Sequence, residues 1–135
     1  MINQKNTSRK PQLSLSGKNI LIVEDEEANA NLLKEILTTK NINYIHVSDG
    51  KSAVKECKEN SNIDLVLMDI KLPIMDGYTA TKKIKELKPK LPIIAQTAYA
   101  LKLDKTKAIN AGCDDYISKP IKEEKLVELI RTLVE

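Results

Sequence analysis

This chain of 135 residues is 41% apolar and 30% charged, a composition typical of one folded domain and not of a disordered chain. Its formal charge of +3 comes from Lys5, Arg9 and Lys10, because removing them from the 22 basic residues leaves 19, against 19 acidic residues. No apolar stretch has the length of a membrane span, and residues 1–16 lack the apolar centre of a signal peptide. We therefore expect a cytoplasmic domain that makes no membrane contact of its own.

Hydrophobic patterns along the chain predict strands and helices in strict alternation. Short apolar runs rich in β-branched residues indicate buried strands, and apolar residues three and four apart indicate amphipathic helices. Such alternation predicts an α/β fold, a doubly wound parallel sheet with helices on both faces. In chain order the predicted elements are a strand at 19–24, a helix at 27–40, a strand at 43–47, a helix at 49–59, a strand at 63–69, a helix at 78–87, a strand at 91–96, a helix at 100–111, a strand at 115–118 and a last helix around 126–133.

Several further features of the sequence limit which class of protein this chain can be. Residues 1–16 are polar and aperiodic, and we predict a flexible linker or tail there, before a folded domain at 17–135. Cys57 and Cys113 have no metal-ligand spacing and are predicted to be reduced thiols. His46 is the only histidine, which leaves no basis for histidine catalysis or a zinc site. The neutral folded part has no aromatic platform beside its lysines, so direct nucleic-acid binding is not expected.

Polar side chains follow the predicted strands at the points where those strands end. The first strand ends in Glu24 and Asp25, the third in Asp69 and the fourth at Thr97, and the fifth runs into Lys119. Each residue alone has an ordinary explanation, as a helix cap or a solvent-facing side chain. Ligands of open parallel sheets bind at the carboxyl ends of the strands, however, and all five residues converge on that edge. The sequence therefore predicts a binding site there.

The predicted chemistry of this site is phosphoryl transfer with a divalent cation. Two carboxylates about 4 Å apart repel by roughly 4 kcal/mol at an effective dielectric constant near 20, so three of them require protons or a cation. Oxygen ligands without nearby His or Cys favour Mg²⁺, with Mn²⁺ as a possible substitute. Lys119 and Thr97 would contact phosphoryl oxygens, and Asp69, on a rigid central strand, would be the nucleophile that forms an acyl phosphate.

Four segments in this order closely resemble response-regulator receiver domains, the CheY-like family. They are ILIVEDEEAN, LVLMDIKLPIMDG, PIIAQTA and GCDDYISKPI, and the resemblance covers about residues 17–135. It implies a flavodoxin-like three-layer sandwich with strand order 2-1-3-4-5.

The resemblance also implies roles for the acidic residues. Asp25 matches a direct Mg²⁺ ligand, and Glu24 matches an acidic residue that acts on the metal through water. Asp69 matches the phosphorylated aspartate and a metal ligand, and the backbone carbonyl of Lys71 matches the third protein ligand. The family often has Asp where this chain has Glu24, so we expect a small change in metal geometry.

The resemblance implies that Thr97 and Lys119 contact the phosphoryl group. Tyr116 matches the aromatic switch residue: phosphorylation would draw Thr97 inward, the ring would turn into the space that opens, and the surface at 98–116 would change shape. The alternative is an ordinary amphipathic strand tyrosine. The resemblance further implies a cis peptide bond between Lys119 and Pro120.

The predicted function is that of a two-component phosphorelay receiver, a phosphoprotein that accepts a phosphoryl group from phosphohistidine onto Asp69. It would catalyse this transfer, and slow loss of the phosphate, on itself, so the term enzyme applies only loosely. The expected partner is a histidine kinase or a histidine-phosphotransfer domain that docks near Ala28, Asn29 and Leu32. The segments look most like receivers of hybrid histidine kinases, where the domain would be the cytoplasmic part of a membrane-bound sensor. A stand-alone single-domain regulator is the alternative.

Three other functions fit the residues less well. A Mg²⁺-dependent phosphohydrolase of the haloacid-dehalogenase type needs a second Asp at the position of Lys71. A flavin-binding protein needs a Ser/Thr/Gly-rich loop where this chain has EDEEAN. A receiver fold that only binds partners would not need the full set of acidic, Thr and Lys side chains.

Overall fold

The computed structural model describes residues 14–98 and 102–134, and within them the predicted alternation of strands and helices is confirmed. None of the described helices is long and apolar enough to cross a bilayer. The elements are β1 (Asn19–Val23), α1 (Glu27–Thr39), β2 (Asn43–Val47), α2 (Gly50–Glu59), β3 (Leu65–Asp69), α3 (Gly77–Leu87), β4 (Ile93–Thr97), α4 (Lys102–Ala111), β5 (Asp115–Ser118) and α5 (Glu123–Val134).

The strands form one parallel sheet in the order β2-β1-β3-β4-β5, as the resemblance implied. Every residue of β3 and β4 is buried, because helices cover both faces of these central strands. Alternate strand residues enter two aliphatic cores. One core packs α1 and α5 against residues such as Ile22, Leu67 and Ile94, and the other packs α2 and α3 against residues such as Leu21 and Val66.

The strand boundaries differ from the predicted ones by one or two residues. β1 ends at Val23, although the amide of Glu24 still donates to the carbonyl of Val47 at 3.0 Å. β4 begins at Ile93 and not at residue 91, because Pro92 has no amide hydrogen and contributes only its carbonyl, which accepts from Val66 at 2.9 Å. The predicted start of the fourth helix, at residue 100, lies outside the described residues.

Residue 15, which precedes the predicted start of the domain at residue 17, already packs on the domain. Leu15 is 4% exposed and belongs to the core beneath α1 and α5. The amide of Gly17 donates to the carbonyl of Asn41 at 3.0 Å, and that of Asn19 donates to the carboxylate of Asp64 at 2.8 Å. These bonds join the start of β1 to the loops that precede β2 and β3.

A glycine fixes the loop that follows β3. Asp76 caps α3, with its Oδ1 accepting from the amide of Thr79 at 2.9 Å. Gly77, the next residue, lies against the end of β3: a Cβ atom there would be 2.2 Å from the carbonyl oxygen of Asp69 and 2.8 Å from the Cα of Ile70. Only a residue without a side chain allows this approach, so the sequence Asp-Gly sets how α3 starts beside the strand end.

Candidate functional site

The carboxyl ends of β1, β3, β4 and β5 bring the predicted site residues into one pocket. Glu24, Asp25, Asp69, Thr97 and Lys119 all line it. Glu24 is 0% exposed, Asp69 5% and Thr97 8%, whereas Asp25 is exposed. The convergence predicted at this sheet edge is therefore present in the fold, with one carboxylate open to solvent and two enclosed.

Lys119 reaches both buried carboxylates. Its Nζ lies 3.2 Å from Oε1 of Glu24 and 3.4 Å from Oδ2 of Asp69. Its backbone amide donates to the carbonyl of Thr97 at 2.7 Å, which continues the pairing of β4 with β5 beyond Ser118. The Lys119–Pro120 peptide bond is cis. The ammonium group is therefore placed by backbone pairing and lies between two negative charges.

Three carboxylates form a cluster of oxygen atoms in this pocket. One oxygen each of Glu24, Asp25 and Asp69 lies within 4.8 Å of the others. The amide of Lys71 donates to Oδ1 of Asp69 at 3.2 Å, so the loop after β3 folds back over the carboxylate. This donor set consists of hard oxygens, which fits Mg²⁺ better than zinc.

The buried carboxylates change each other's protonation. Burial, followed by the hydrogen bond and negative charge of Glu24, raises the pKa of Asp69 from 3.8 to about 7, against the opposing effect of Lys119. Burial also disfavours the charged form of Glu24, but hydrogen bonds from Asp69, Asn29 and Glu26 outweigh it and lower the pKa of Glu24. Burial disfavours charge on Lys119 too, and the two carboxylates overcome this and raise its pKa. Of the two buried carboxylates, Asp69 is therefore the one that takes up a proton near neutral pH, and Glu24 stays charged.

The raised pKa of Asp69 predicts how the stability of the protein depends on pH when no cation is bound. Because the pKa of Asp69 rises from 3.8 to about 7 on folding, the folded chain binds more protons than the unfolded chain between these values. The contribution of Asp69 to the free energy of unfolding therefore falls as pH rises towards 7. The rise corresponds to at most about 4 kcal/mol, and the lowered pKa of Glu24 offsets part of it.

We accordingly expect Asp69→Asn to stabilise the metal-free protein by roughly 2 kcal/mol at pH 8 and by much less at pH 5. The neutral amide has the size of the carboxyl group and can donate to Glu24 as the protonated acid does. Urea unfolding in EDTA at the two pH values measures both differences. Equal differences at pH 5 and pH 8 would contradict the raised pKa of Asp69.

Two side chains that sequence reasoning did not assign to the site complete its buried part. Asn29 of α1 donates from Nδ2 to Oε1 of Glu24, and the same nitrogen lies 3.2 Å from Oε1 of Gln96. Gln96 is 0% exposed, and Asp69 is its partner in the pairing of β3 with β4. A signal was present in the sequence: Asn29 is four residues before Leu33, on the face of α1 that packs on the sheet.

The predicted docking residues do not share one exposed face. Ala28 is exposed and Leu32 is 38% exposed, but Asn29 is only 9% exposed and bonds inward to Glu24. Docking near these residues stays a prediction, and the side-chain amide of Asn29 itself bonds to a buried group of the site. His46, on the edge strand β2, has its Nε2 2.8 Å from the carbonyl oxygen of Glu24.

Tyr116 lies on β5, the edge strand that pairs with β4. Its ring is half-buried and packs beside the core beneath α2 and α3. The Nζ of Lys105, on α4, is 4.9 Å from the centroid of the ring, within the range of a cation–π contact. Thr97 and Tyr116 thus lie on the neighbouring strands β4 and β5, and the switch role of Tyr116 stays a prediction.

The sequence matches the family described as "Response regulator receiver domain" over residues 20–131. The chain therefore belongs to this family, and it is a receiver domain of two-component phosphorelay signalling. It is 39% identical over 123 residues to "Hybrid signal transduction histidine kinase I" of Dictyostelium discoideum, with 85% of this chain aligned but only 7% of that protein. It is 37% identical over 118 residues to the "Polar-differentiation response regulator DivK" of Brucella ovis, covering 85% of this chain and 94% of that protein.

Solved structures of similar chains have the same fold. The receiver domain of the sensor histidine kinase PA1611 from Pseudomonas aeruginosa, with a magnesium ion in its active-site cleft, is 35% identical with a TM-score of 0.82, covering 88% of this chain and 98% of that one. The receiver domain of Ssk1 from Saccharomyces cerevisiae, in complex with the histidine phosphotransfer protein Ypd1, is 32% identical with a TM-score of 0.81, covering 87% and 88%. The flavodoxin-like fold is therefore confirmed.

Proposed function

We propose that this receiver accepts its phosphoryl group on Asp69, from the phosphohistidine of a partner protein. Asp69 is the buried carboxylate at the end of the central strand, and it lies beside an ammonium group and two further carboxylates. In the transfer, an Oδ of Asp69 forms a bond to phosphorus while the bond from phosphorus to the histidine nitrogen breaks. The electron pair of that bond returns to the imidazole, and the product is an acyl phosphate.

The oxygen cluster of Glu24, Asp25 and Asp69 would hold a divalent cation, for which Mg²⁺ is the best match. Asp25 and Asp69 would be direct ligands with the carbonyl of Lys71, and Glu24 would act through water. A bound divalent cation supplies positive charge that offsets the charge of phosphoryl oxygens. Mn²⁺ has the same preference for oxygen ligands and would serve as a substitute.

Lys119 and Thr97 would stabilise the other phosphoryl oxygens. The Nζ of Lys119 contacts two carboxylates, so it stands within reach of the acceptor oxygen. Thr97 lines the same pocket at the end of β4. A phosphoryl oxygen that draws Thr97 inward would make room for Tyr116 to turn, and the Lys105 contact with its ring would break.

The proposed partner is a histidine-phosphotransfer domain or a histidine kinase. Support comes from Ssk1, whose similar receiver domain is in complex with the phosphotransfer protein Ypd1. The docking surface would include Ala28 and Leu32, the exposed members of the predicted set.

The relatives support two contexts for this domain, as part of a hybrid histidine kinase or as a separate response regulator, and the sequence motifs favour the hybrid kinase. Both described cysteines are buried free thiols, which suits a cytoplasmic location.

One observation carries this proposal: Asp69 is enclosed with an ammonium group 3.4 Å from its oxygen at the edge where three carboxylates meet. The test is incubation with acetyl phosphate, with Mg²⁺ or with EDTA, followed by intact mass. We expect one phosphoryl group with Mg²⁺ and none with EDTA. Cleavage after Lys58 and Lys71 then places the modification within residues 59–71. Labelling that is independent of the metal, or that lies in another peptide, would contradict the proposal.

A further inference from the structure

Gln96 is a fully buried polar residue whose donor group lacks an acceptor. Its side chain is 0% exposed, and its Nε2 has no hydrogen-bond partner among the described residues. It lines the same pocket as Glu24, Asp69 and Thr97. Buried polar side chains are nearly always hydrogen-bonded, so an unpaired amide donor inside a strand calls for an explanation. An apolar residue would serve the stability of the sheet better.

The acceptor group of Gln96 has a partner, and this partner leads to the acidic cluster. Asn29 uses one nitrogen for two bonds, because an amide nitrogen carries two hydrogens. One bond goes to Oε1 of Gln96 at 3.2 Å and the other to Oε1 of Glu24. The bond to Gln96 therefore fixes the orientation of the Asn29 amide, and the amide in this orientation donates to Glu24.

Glu24 needs such support more than an aspartate would. Its side chain has one more rotatable bond than that of Asp, so its carboxylate can occupy more positions. In the structure each oxygen is held: Oε2 accepts from the amide of Glu26 at 3.1 Å, and Oε1 accepts from Asn29 and lies 3.2 Å from Nζ of Lys119. Lys119 also contacts Asp69, whereas the amide of Glu26 and the side chain of Asn29 are neutral donors to Glu24 that do not contact Asp69.

We propose that Asn29 and Gln96 are positioning residues that hold the carboxylate of Glu24 in place for the divalent cation. This inference rests on the proposed metal site. Gln96 acts through Asn29 and contacts neither the cation nor the phosphoryl group. The side chain of Gln96 is placed so that its oxygen accepts from Asn29, and in this position its Nε2 has no acceptor among the described residues.

The proposal predicts that replacing Gln96 weakens Mg²⁺ binding without lowering the stability of the fold. Gln96→Met removes both the donor and the acceptor of the side-chain amide and keeps the length of the side chain. We expect it to weaken Mg²⁺ binding about tenfold, at the low end of the range for partners that orient metal ligands. In EDTA its Tm should equal or exceed that of the wild type, because a buried unpaired donor is lost. Asn29→Ala should weaken Mg²⁺ binding by a similar factor, and the double variant should be no weaker than Asn29→Ala alone, because Gln96 acts only through Asn29.

The measurements are calorimetric titration with Mg²⁺ and thermal unfolding in EDTA, both on the full chain. Thr81→Val is the matched control, because Thr81 is also 0% exposed and polar but contacts Cys113 on the opposite face of the sheet, and its Mg²⁺ affinity should be that of the wild type. Asp25→Asn reports on the metal site itself. If Asp25→Asn weakens binding but Gln96→Met does not, or if the two network variants are additive, the positioning role is wrong and the metal site stands. A wild type that binds no Mg²⁺ would overturn both.

Discussion

An Asp69→Asn chain is expected to gain no phosphoryl group from acetyl phosphate and Mg²⁺, under conditions in which the wild type gains one. The amide nitrogen has no lone pair available to attack phosphorus, and the remaining amide oxygen is a far weaker nucleophile than a carboxylate. The loss should be complete, because the other carboxylates of the pocket, Glu24 and Asp25, are proposed to hold the cation and not to accept the phosphoryl group. Intact mass spectrometry at matched protein and Mg²⁺ concentrations measures it.

Asp64→Asn is the matched control for this loss. Asp64 lies just before the same strand, at the opposite end of the sheet, where it accepts from the amide of Asn19 at 2.8 Å. Its replacement tests whether any change from Asp to Asn near β3 reduces labelling through a general loss of folding. We expect Asp64→Asn to be labelled as the wild type is. Labelling that persists in Asp69→Asn would assign the acceptor to another residue.

The fold and the five main site residues followed from the sequence for a physical reason. A strand covered on both faces must be a continuous apolar run, and such runs mark the central strands without any knowledge of tertiary contacts. Parallel strands present their carboxyl ends at one edge, so the residues after each run must meet there. Asp69, Thr97 and Lys119 were therefore predicted together, although 50 residues separate the first from the last.

The buried network was not predicted, because its members look ordinary when each is considered in its own element. Asn29 has the exposed, polar character common on a helix surface, and only its phase relative to Leu33 shows that it faces the sheet. Gln96 precedes the more conspicuous Thr97, and its partner is 67 residues away in the chain. Hydrogen bonds between side chains of distant elements depend on the packing angle of α1 on the sheet, which hydrophobic periodicity does not determine.

The protonation of Asp69 has a consequence for the switch. Below about pH 7 a proton on Asp69 and the ammonium group of Lys119 offset the two buried carboxylates, and the exposed Asp25 is the remaining acidic group of the cluster. A divalent cation would displace that proton, and a phosphoryl group would then bring new negative charge to Lys119. We expect each step to change what Lys119 and Thr97 contact. The backbones of these two residues are joined by a 2.7 Å hydrogen bond, through which a shift of one would act on the strand that carries Tyr116.

Gly77→Ala is expected to lower the free energy of unfolding by about 3 kcal/mol and to reduce labelling of Asp69 in the molecules that remain folded. The added Cβ would lie 2.2 Å from the carbonyl oxygen of Asp69, a backbone atom that can move only with the end of β3. Urea unfolding measures the first effect, and intact mass after acetyl phosphate at low temperature measures the second. Gly50→Ala is the control, because its Cβ would meet the carbonyl oxygen of Met75 at the same 2.2 Å, a backbone atom of the loop and not of the strand that carries the acceptor. It should lose similar stability but keep its labelling, and equal labelling in the two variants would show that the close approach of α3 does not position Asp69.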